Sequence, residues 1–456
     1  MALMVSVSGI RGIVGESLTP ETVVKYARAF AEFTSRGTVV LGRDGRISGK
    51  LFANIASSTL LAAGCDVVAL GVAATPTISL AVEELHAAGG ISVTASHNPI
   101  EWNGLKFIGP AGLFLDADEN RTLWKLADEP KATYAPWNRA GTHRSDDSFA
   151  DRHIAAVLRL PLFEPERIRA RGLRIVVDCI NAAGSITIPR LLRRLGCTVI
   201  EMNCDCSGVF SRTPEPVPEN LTELCARVVA EGADCGIAVD PDVDRLALVD
   251  EGGRPFGEEY TVTAAVRFVL EKSGARGATV VVNLSTTRAV EDVAKKYGAA
   301  VIRTPVGEIN VAKKMKETGA LIGGEGSGGV IPPAVHYARD AVAGVALILQ
   351  QLAESGGPMS ALRSSLPEYS MAKTKINLGN LDPERLLRGF AREHASNGNV
   401  NTEDGIRLAF DTSWVHLRKS NTEPVVRIIA EAPTRQGAED LARKYGSYLL
   451  AAGGGS

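Results

Sequence analysis

Short apolar runs rich in β-branched residues alternate with longer segments of helical periodicity up to about residue 370. The alternation repeats in three successive units, and each unit contains three predicted strands. The strands are predicted at 38–44, 65–71 and 90–96, at 173–179, 197–203 and 235–240, and at 279–285, 300–305 and 320–325. Apolar strands separated by helices are typical of parallel sheets covered on both faces. The pattern therefore predicts three similar α/β domains with mostly parallel sheets.

The chain beyond about residue 370 has a different pattern, with alternating strands and two amphipathic helices. Strands are predicted at 373–379, 405–411, 413–420 and 424–433, and helices at 383–395 and 438–452. This pattern indicates a smaller C-terminal α+β domain. The predicted domains span 1–150, 151–254, 255–369 and 370–456.

Composition excludes several classes of protein. The net charge of −2 leaves no excess of Lys and Arg for a nucleic-acid surface. No apolar run approaches the roughly 20 residues that cross a bilayer, and the N-terminus reaches Arg11 too soon for a signal peptide. The odd number of cysteines, seven, argues against a secreted disulfide framework. We therefore expect a cytoplasmic protein without nucleic-acid or membrane partners.

The loop after the third strand of the second unit, "DPDVDR" at 240–245, is strongly acidic. Ligands of open α/β sheets bind beyond the carboxyl ends of the strands. Asp240, Asp242 and Asp244 can converge there on one hard cation, and Mg²⁺ fits this small set of carboxylates. An EF-hand is disfavoured, because Arg245 stands where glycine is needed and "LALVD" continues as a strand. A solvated acidic loop is the remaining alternative.

The corresponding loop of the first unit, "TASHNP" at 94–99, contains Ser96, and Lys106 follows in "NGLK". A serine at a strand end that faces a bound divalent ion can carry a phosphoryl group. The adjacent His97 raises the alternative of a serine hydrolase. That alternative is weak, because the G-x-S-x-G turn of such enzymes is absent from this loop.

The corresponding loop of the third unit, "GGEGSGG" at 323–329, presents Glu325 and Ser327 on a glycine-rich backbone. Glycine lets a backbone approach a ligand closely, and Glu325 is suited to accept hydrogen bonds from sugar hydroxyls. The loop lacks the lysine of a P-loop. A flexible turn is the alternative.

The C-terminal domain contains "RKSNTEPVVR", in which Arg418 and Arg427 flank a Ser-Asn-Thr turn. Guanidinium groups and hydroxyls together suit a phosphate dianion, although surface arginines often flank hairpins. Near the N-terminus, Arg11 is a candidate to stabilise a transferring phosphoryl group. We interpret Arg43 and Arg46, in "GRDGRISG", as structural.

These four loops, in this order and at these intervals, closely resemble those of the α-D-phosphohexomutases, which interconvert the 1- and 6-phosphates of hexoses. The resemblance covers nearly the whole chain. It implies four domains around a central cleft, a phosphorylated serine, one Mg²⁺ per chain and a hexose 1,6-bisphosphate that serves as activator and intermediate. It also implies a small-molecule sugar phosphate as the partner, and we expect a monomer or a homodimer.

The resemblance also implies roles for individual residues. Ser96 is the phosphoryl carrier and a metal ligand, and the three aspartates complete the protein ligands. Residues near the transferring phosphate are Arg11, Lys106 and Arg245, with Lys106 or a neighbour as general acid or base. Residues implied to bind the substrate are His97, Glu325, Ser327, Arg418, Ser420, Asn421, Thr422 and Arg427.

Two positions depart from bacterial members of the family: many have histidine where this chain has Gly329, and some have another where it has Glu308. Proton-transfer roles of those histidines therefore do not carry over. The third loop and the following "VIPPAVHYARDAV" resemble archaeal-type phosphoglucosamine mutases, so we expect conversion of glucosamine 6-phosphate to glucosamine 1-phosphate. Mannose or glucose phosphate is the alternative substrate. Remoter alternatives are a phosphatase with an aspartyl nucleophile and a non-catalytic sugar-phosphate sensor.

Overall fold

The computed structural model describes residues 2–129, 133–377, 382–394, 399–419 and 425–454. Four sheets follow one another along the chain. The first unit contains β1 (Met4–Ser6), β2 (Gly9–Ile13), β3 (Val39–Arg43), β4 (Val67–Val72), β5 (Gly89–Val93), β6 (Trp102–Ile108) and β7 (His143–Ser145), with helices α1 (Pro20–Phe33), α2 (Gly49–Ala63), α3 (Thr75–Glu84) and α4 (Ala117–Asp128).

The second and third units each contain a four-stranded sheet. The second unit comprises α5 (Phe149–Leu158), α6 (Pro165–Arg171), β8 (Arg174–Asp178), α7 (Gly184–Arg194), β9 (Thr198–Met202), α8 (Thr222–Glu231), β10 (Cys235–Val239) and β11 (Leu246–Asp250). The third comprises α9 (Glu258–Ser273), β12 (Thr279–Asn283), α10 (Ala289–Lys296), β13 (Ala300–Thr304), α11 (Glu308–Thr318), β14 (Ile322–Glu325), β15 (Gly329–Ile331), α12 (Ala341–Ser355) and α13 (Met359–Ser364).

The three sheets share one plan, in which three parallel strands are extended by an antiparallel one. The parallel strands are β4, β3 and β5, then β9, β8 and β10, then β13, β12 and β14. The antiparallel neighbours are β6, β11 and β15. The predicted α/β fold class is confirmed. The first sheet is more mixed than predicted, because β1, β2 and β6 are joined by antiparallel pairing.

Alternation along the central strands explains why helices cover both faces of each sheet. Successive residues of a strand point to opposite faces. In β8, Ile175 lies in one buried cluster and Val176 in another. In β12, the adjacent residues Val280 and Val281 likewise lie in two different buried clusters. Ile175 and Val280 belong to one cluster. The second and third units therefore share a continuous apolar core.

The last unit is the predicted α+β domain. It comprises β16 (Ser370–Asn377), α14 (Pro383–His394), β17 (Val400–Asn401), β18 (Ile406–Ala409), β19 (Trp414–Lys419), β20 (Val425–Ala432) and α15 (Arg435–Gly454). The sheet is antiparallel in the order β16-β20-β19-β18-β17. Phe390 of α14 packs in one core with Val415 and Leu417 of β19.

The exact domain boundaries stay a prediction, and the first of them falls inside α5 (Phe149–Leu158). All seven cysteines are free thiols. Among the described residues, no helix combines the length and the apolar character needed to cross a membrane.

Candidate active site

Ser96 lies in the loop that connects β5 to the antiparallel β6. Its side chain is buried, with 1% exposed, and its backbone adopts a left-handed conformation with φ of +49°. The hydroxyl Oγ lies 3.3 Å from Oδ2 of Asp240. The structure therefore brings the first and second predicted loops together at the carboxyl ends of their sheets.

The acidic loop follows β10 and is buried at all three aspartates. Each of Asp240, Asp242 and Asp244 offers an oxygen, and these oxygens lie within 4.8 Å of one another. Val243, which lies between Asp242 and Asp244 in the chain, has φ of +63°, an unusual conformation for a β-branched residue. Oδ1 of Asp240 accepts hydrogen bonds from the backbone N–H groups of Asp244 and Arg245, both at 3.1 Å, which closes the turn.

Helix N-termini from three units hold this loop from outside. At the start of α3, the backbone N–H of Thr75 donates to Asp242 O. Just before α7, the backbone N–H of Ala183 donates to Pro241 O. At the start of α12, the backbone N–H of Ala341 donates to Val243 O. The N-terminus of a helix carries a positive partial charge that favours nearby anions. The triplicated architecture thus surrounds one acidic loop with three favourable dipoles.

Two cations neutralise much of the charge on the loop. Nζ of Lys106 donates to Asp242 at 2.6 Å and to Asp244 at 3.2 Å, and Arg339 donates to Asp244 at 2.6 Å. Burial lowers the pKa of Lys106, but the charges of Asp242 and Asp244 have the larger combined effect, so the pKa of Lys106 is raised. Burial also opposes the charge of Asp244, yet Arg339 and Lys106 hold its pKa well below the usual range.

The acidic loop also fits a divalent metal ion. Oδ1 of Asp242 and Oδ1 of Asp244 are buried and have no hydrogen-bond partner. Burial and the neighbouring aspartates raise the pKa of Asp240 well above its usual range, which reflects repulsion between carboxylates. A cation bound by three oxygens would satisfy the unpartnered atoms and relieve this repulsion.

Two residues predicted near the transferring phosphate, Arg11 and Arg245, are associated with the loops of Ser96 and of the aspartates. Arg11 of β2 donates to Oδ1 of Asn98 at 3.0 Å, and Arg245 donates to Glu215 at 2.8 Å. Nδ1 of His97 lies 3.3 Å from Oγ of Ser96. Burial and the nearby Arg245 and Arg11 lower the pKa of His97 well below its usual value, so this imidazole is neutral near pH 7.

The glycine-rich loop of the third unit is ordered by specific contacts, which disfavours the alternative of a flexible turn. Oε1 of Glu325 accepts from Asn283 at 2.7 Å and from the backbone N–H of Gly307 at 3.1 Å, and Oε2 accepts from Arg339 at 2.7 Å. A Cβ at Gly326 would lie 1.8 Å from Oε2 of Glu259, so glycine is required there.

Arg339 is the main site residue that the sequence interpretation missed. It is buried, and its guanidinium joins Asp244 of the acidic loop to Glu325 and Ser327 of the glycine-rich loop. Its Nε and its backbone N–H both donate to Glu308, at 3.0 and 2.9 Å. Burial raises the pKa of Glu308 to about 7 even though Arg339 opposes this shift. Neither spacing nor composition marks this arginine, because its partners lie far away in the sequence.

The predicted phosphate-binding loop is described only in part. Arg418 of β19 and Arg427 of β20 lie opposite one another in the antiparallel pairing. Arg427 is exposed, whereas Arg418 donates to Asp404 at 2.9 Å. Ser420, Asn421 and Thr422 lie outside the described residues.

A cavity of about 1020 Å³ extends between the acidic loop and the C-terminal domain. It is lined by Arg245 from the second unit, Ser327 from the third, and Lys373 from the fourth, among others. Ser96 is not among the residues that line this cavity. Its hydroxyl contacts Asp240, whose carboxylate accepts from the backbone N–H of the cavity-lining Arg245. The space is large enough for a phosphorylated sugar, since ligand pockets commonly span about 300–1,000 Å³.

Four consecutive segments of the chain match domains of one family. Residues 3–133, 151–253 and 257–369 match α/β/α domains I, II and III of phosphoglucomutase/phosphomannomutase, and residues 389–445 match the C-terminal domain. The same four segments contain the four loops described above.

Relatives match over nearly the whole chain. A phosphoglucomutase/phosphomannomutase of Thermococcus kodakarensis is 38% identical over 444 residues, which cover 96% of this chain and 95% of the relative. A probable phosphoglucosamine mutase of Methanopyrus kandleri is 36% identical over 436 residues, which cover 95% of each. The crystal structure of a phosphoglucomutase/phosphomannomutase family protein from Burkholderia thailandensis, 28% identical, superposes with a TM-score of 0.84 over 99% of both chains. The chain therefore belongs to the phosphoglucomutase/phosphomannomutase family of α-D-phosphohexomutases.

Proposed function

We propose that this protein interconverts the 6- and 1-phosphates of a hexose through a phosphoryl group carried by Ser96. The observation that supports this most directly is the 3.3 Å approach of the Ser96 hydroxyl to Asp240 within a buried acidic loop that fits a metal ion. A serine hydrolase is disfavoured, because its G-x-S-x-G turn is absent and three clustered carboxylates are not part of its triad. The same set is suited to a serine that carries a dianionic phosphate.

The metal would be held by Asp240, Asp242 and Asp244, with an oxygen on Ser96 as a further ligand, and we propose Mg²⁺. When bound, the ion offsets negative charge that develops during phosphoryl transfer. Lys106 and Arg339 keep the acidic loop folded by pairing with its carboxylates. Arg11 and Arg245 supply further positive charge beside the phosphate.

The transfer breaks the phosphorus–oxygen bond to Ser96 and forms a new one to the free hydroxyl of the sugar phosphate. The sugar hydroxyl loses its proton to a base, and the Ser96 oxygen regains a proton. The product is a hexose 1,6-bisphosphate, which reverses its orientation in the cavity. Its other phosphoryl group then returns to Ser96 by the same chemistry in reverse.

The remaining predicted residues hold the far end of the substrate. The glycine-rich loop, with Glu325 and Ser327, faces the sugar hydroxyls, and Arg418, Ser420, Asn421, Thr422 and Arg427 bind the distal phosphate. Because one distal site serves both orientations, either phosphate of the bisphosphate can occupy it.

We propose glucosamine phosphate as the preferred substrate, supported by the resemblance of the third loop and by relatives described as probable phosphoglucosamine mutases. The Thermococcus relative is described as a phosphoglucomutase/phosphomannomutase, which keeps mannose and glucose phosphates as the alternative. A coupled assay with glucosamine 6-phosphate, mannose 1-phosphate and glucose 1-phosphate, each with glucose 1,6-bisphosphate added, separates them. Equal rates on all three would overturn the preference.

Two substitutions separate the mutase from the remoter alternatives. Ser96→Ala should abolish mutase turnover and leave Mg²⁺ binding through the aspartates in place. A phosphatase with an aspartyl nucleophile would keep its activity after Ser96→Ala and lose it after Asp240→Asn. A sugar-phosphate sensor would show binding without turnover in the unmodified protein. The cytoplasmic location and the monomeric or homodimeric state stay predictions.

A further inference from the structure

Arg46 is fully buried, with 1% exposed, beneath the loop that carries Ser96. Its guanidinium has five N–H donors, and each has an acceptor. Four of them reach backbone carbonyl groups of this loop and of β6, namely Ser96 O at 2.7 Å, Asn98 O at 2.6 Å, Pro99 O at 2.6 Å and Trp102 O at 2.9 Å. The fifth, on Nε, donates to Asp44 at 3.1 Å.

Asp44 and Thr94 extend these contacts to the other side of Ser96. Oδ2 of Asp44 accepts from the hydroxyl of Thr94 at 2.6 Å, and Oγ1 of Thr94 accepts from the backbone N–H of Ser96 at 2.8 Å. Both backbone polar groups of Ser96 are thus held by one set of side chains. We refer to Asp44, Arg46 and Thr94 as the Arg46 network.

The conformation of Ser96 explains why such a network is needed. A residue other than glycine with φ of +49° is in a sparsely populated region, and it stays there only when its surroundings hold it. This backbone conformation fixes the direction in which Oγ leaves the chain. Without the Arg46 network the loop is free to relax, and the hydroxyl would turn away from Asp240.

The second unit shields the Arg46 network from water. The ring of Phe210 covers the guanidinium, with 4.8 Å between its centroid and Cζ of Arg46. A Cβ at Gly45 would lie 2.4 Å from Cα of Ala182, so glycine allows the two units to meet beside Arg46. Hydrogen bonds in such a dry site do not exchange with water, which makes them more rigid.

We propose that Arg46, together with Asp44 and Thr94, is a positioning residue that holds Ser96 in the orientation required for phosphoryl transfer. Arg46 acts through the backbone and does not itself touch the substrate. This inference rests on the proposed function only in taking Ser96 as the phosphoryl carrier. It predicts that damage to the network slows transfer to and from Ser96, while the metal site and the distal phosphate site keep their affinities.

The test compares Arg46→Lys with Arg43→Lys. Lysine keeps the charge beside Asp44 but offers three donors on one atom, so the four carbonyl contacts cannot all be kept. Arg43 is a matched control, because it ends β3 three residues before Arg46 and the hydrogen bond of its side chain is to Asp44 O, at 3.2 Å, and not to the loop that carries Ser96. Each protein is mixed with glucose 1,6-bisphosphate and Mg²⁺, and the phosphorylation of Ser96 is followed in time by intact-mass spectrometry.

Arg46→Lys should slow phosphorylation of Ser96 and lower kcat by about 100-fold, as expected when a reacting group is displaced by roughly 1 Å. KM for the sugar phosphate and the affinity for Mg²⁺ should stay within about twofold of the unmodified protein, and Arg43→Lys should leave all of these unchanged. A purely structural role for Arg46 would lower the thermal midpoint and leave the rate of transfer unchanged in the folded protein. That result would overturn the proposal.

Thr94→Val provides a second, nearly isosteric variant if Arg46→Lys does not fold. It removes the acceptor for the Ser96 N–H and should reduce the transfer rate in the same direction, again without a change in KM. An unaltered transfer rate in Thr94→Val contradicts the proposal. If the unmodified protein itself takes up no phosphate from the bisphosphate, the proposed function and this inference both fail. If it takes up phosphate and the variants do so equally fast, this inference alone fails.

Discussion

The hydroxyl of Ser96 lies 3.3 Å from the carboxylate of Asp240, although 144 positions separate the two residues in the chain. The contact joins the carboxyl end of β5 in the first sheet to that of β10 in the second. The proposed phosphoryl carrier and a proposed metal ligand are therefore adjacent.

Divalent metal should stabilise the protein through the acidic loop. Because Oδ1 of Asp242 has no hydrogen-bond partner, Mg²⁺ would gain a ligand there without breaking a hydrogen bond. Mg²⁺ at about 100 times its dissociation constant should add about 2.7 kcal/mol to the free energy of unfolding. Thermal denaturation of metal-free protein with increasing Mg²⁺ measures this.

In Asp242→Asn the same stabilisation should require at least about tenfold more Mg²⁺, since a charged ligand is lost. The exposed Asp66→Asn is the control, because the Asp66 carboxylate accepts hydrogen bonds from Thr142, outside the acidic loop. Identical Mg²⁺ titrations for Asp242→Asn and the unmodified protein would show that the metal binds elsewhere.

Arg339→Lys should lower kcat/KM by about 10- to 100-fold. Arginine makes charge-assisted contacts to Asp244, Glu308 and Glu325, each worth about 1.5–3 kcal/mol, and one ammonium group cannot reproduce all three. Steady-state kinetics measures the change. Arg254→Lys, at an exposed arginine paired with Asp250, should leave kcat/KM unaltered. Equal effects of both substitutions would mean that Arg339 has no specific part in the site.

Arg418→Lys should raise KM for the sugar phosphate by about tenfold and change kcat less. A guanidinium binds a phosphate through two parallel hydrogen bonds, whereas lysine binds it as a point charge. Initial rates over a range of substrate concentrations measure the effect. The exposed Arg227, paired with Glu231, is a suitable control for substitution by lysine. An unchanged KM in Arg418→Lys would remove Arg418 from the proposed distal phosphate site.

His416 should make the stability of the protein depend on pH. Its ring lies between the hydroxyl of Ser285 and Asp404 O, at 2.8 and 2.6 Å, and so joins the third and fourth units. Burial lowers its pKa to about 4, whereas the unfolded chain has the usual value of about 6.5. Between pH 4 and pH 6.5, His416 binds more protons in the unfolded state than in the folded state. The contribution of His416 to the free energy of unfolding is therefore complete above about pH 6.5 and is lost as pH falls to about 4.

The expected loss from this one histidine is about 3 kcal/mol between pH 6.5 and pH 4. Urea unfolding at several pH values should show a smaller loss in His416→Gln than in the unmodified protein. His143→Gln, at an exposed position of β7, should retain the full dependence. If His416→Gln and the unmodified protein lose stability in parallel, other groups account for the pH dependence.

The strands and the four loops could be predicted because their signals are local. Runs such as 173–179 and 279–285 are apolar and β-branched, and β8 and β12 occupy them almost to the residue. The strand predicted at 90–96 ends earlier, at Val93, because the chain turns there to place Ser96. The antiparallel β6 was not predicted, since "WNGLKFI" interrupts its apolar residues with polar ones and a glycine.

The contacts that complete the site could not be predicted in the same way. Arg339, Thr75 and Lys106 meet the acidic loop from two other units, and nothing in their own neighbourhood specifies those partners. Glu325 is predicted to accept hydrogen bonds from the sugar, and its own loop gave no sign that its two oxygens also accept from Asn283 and Arg339. The interpretation of Arg46 as structural agrees with its burial, but its contact with Ser96 O required the folded chain.

The central claim is that Ser96 carries a phosphoryl group. Intact-mass spectrometry of the protein after incubation with glucose 1,6-bisphosphate and Mg²⁺ tests it most directly. The account predicts an added mass of about 80 Da, one phosphomonoester per chain, localised to Ser96 and absent from Ser96→Ala. Full mutase turnover by a protein that never acquires this mass, or by Ser96→Ala, would contradict it.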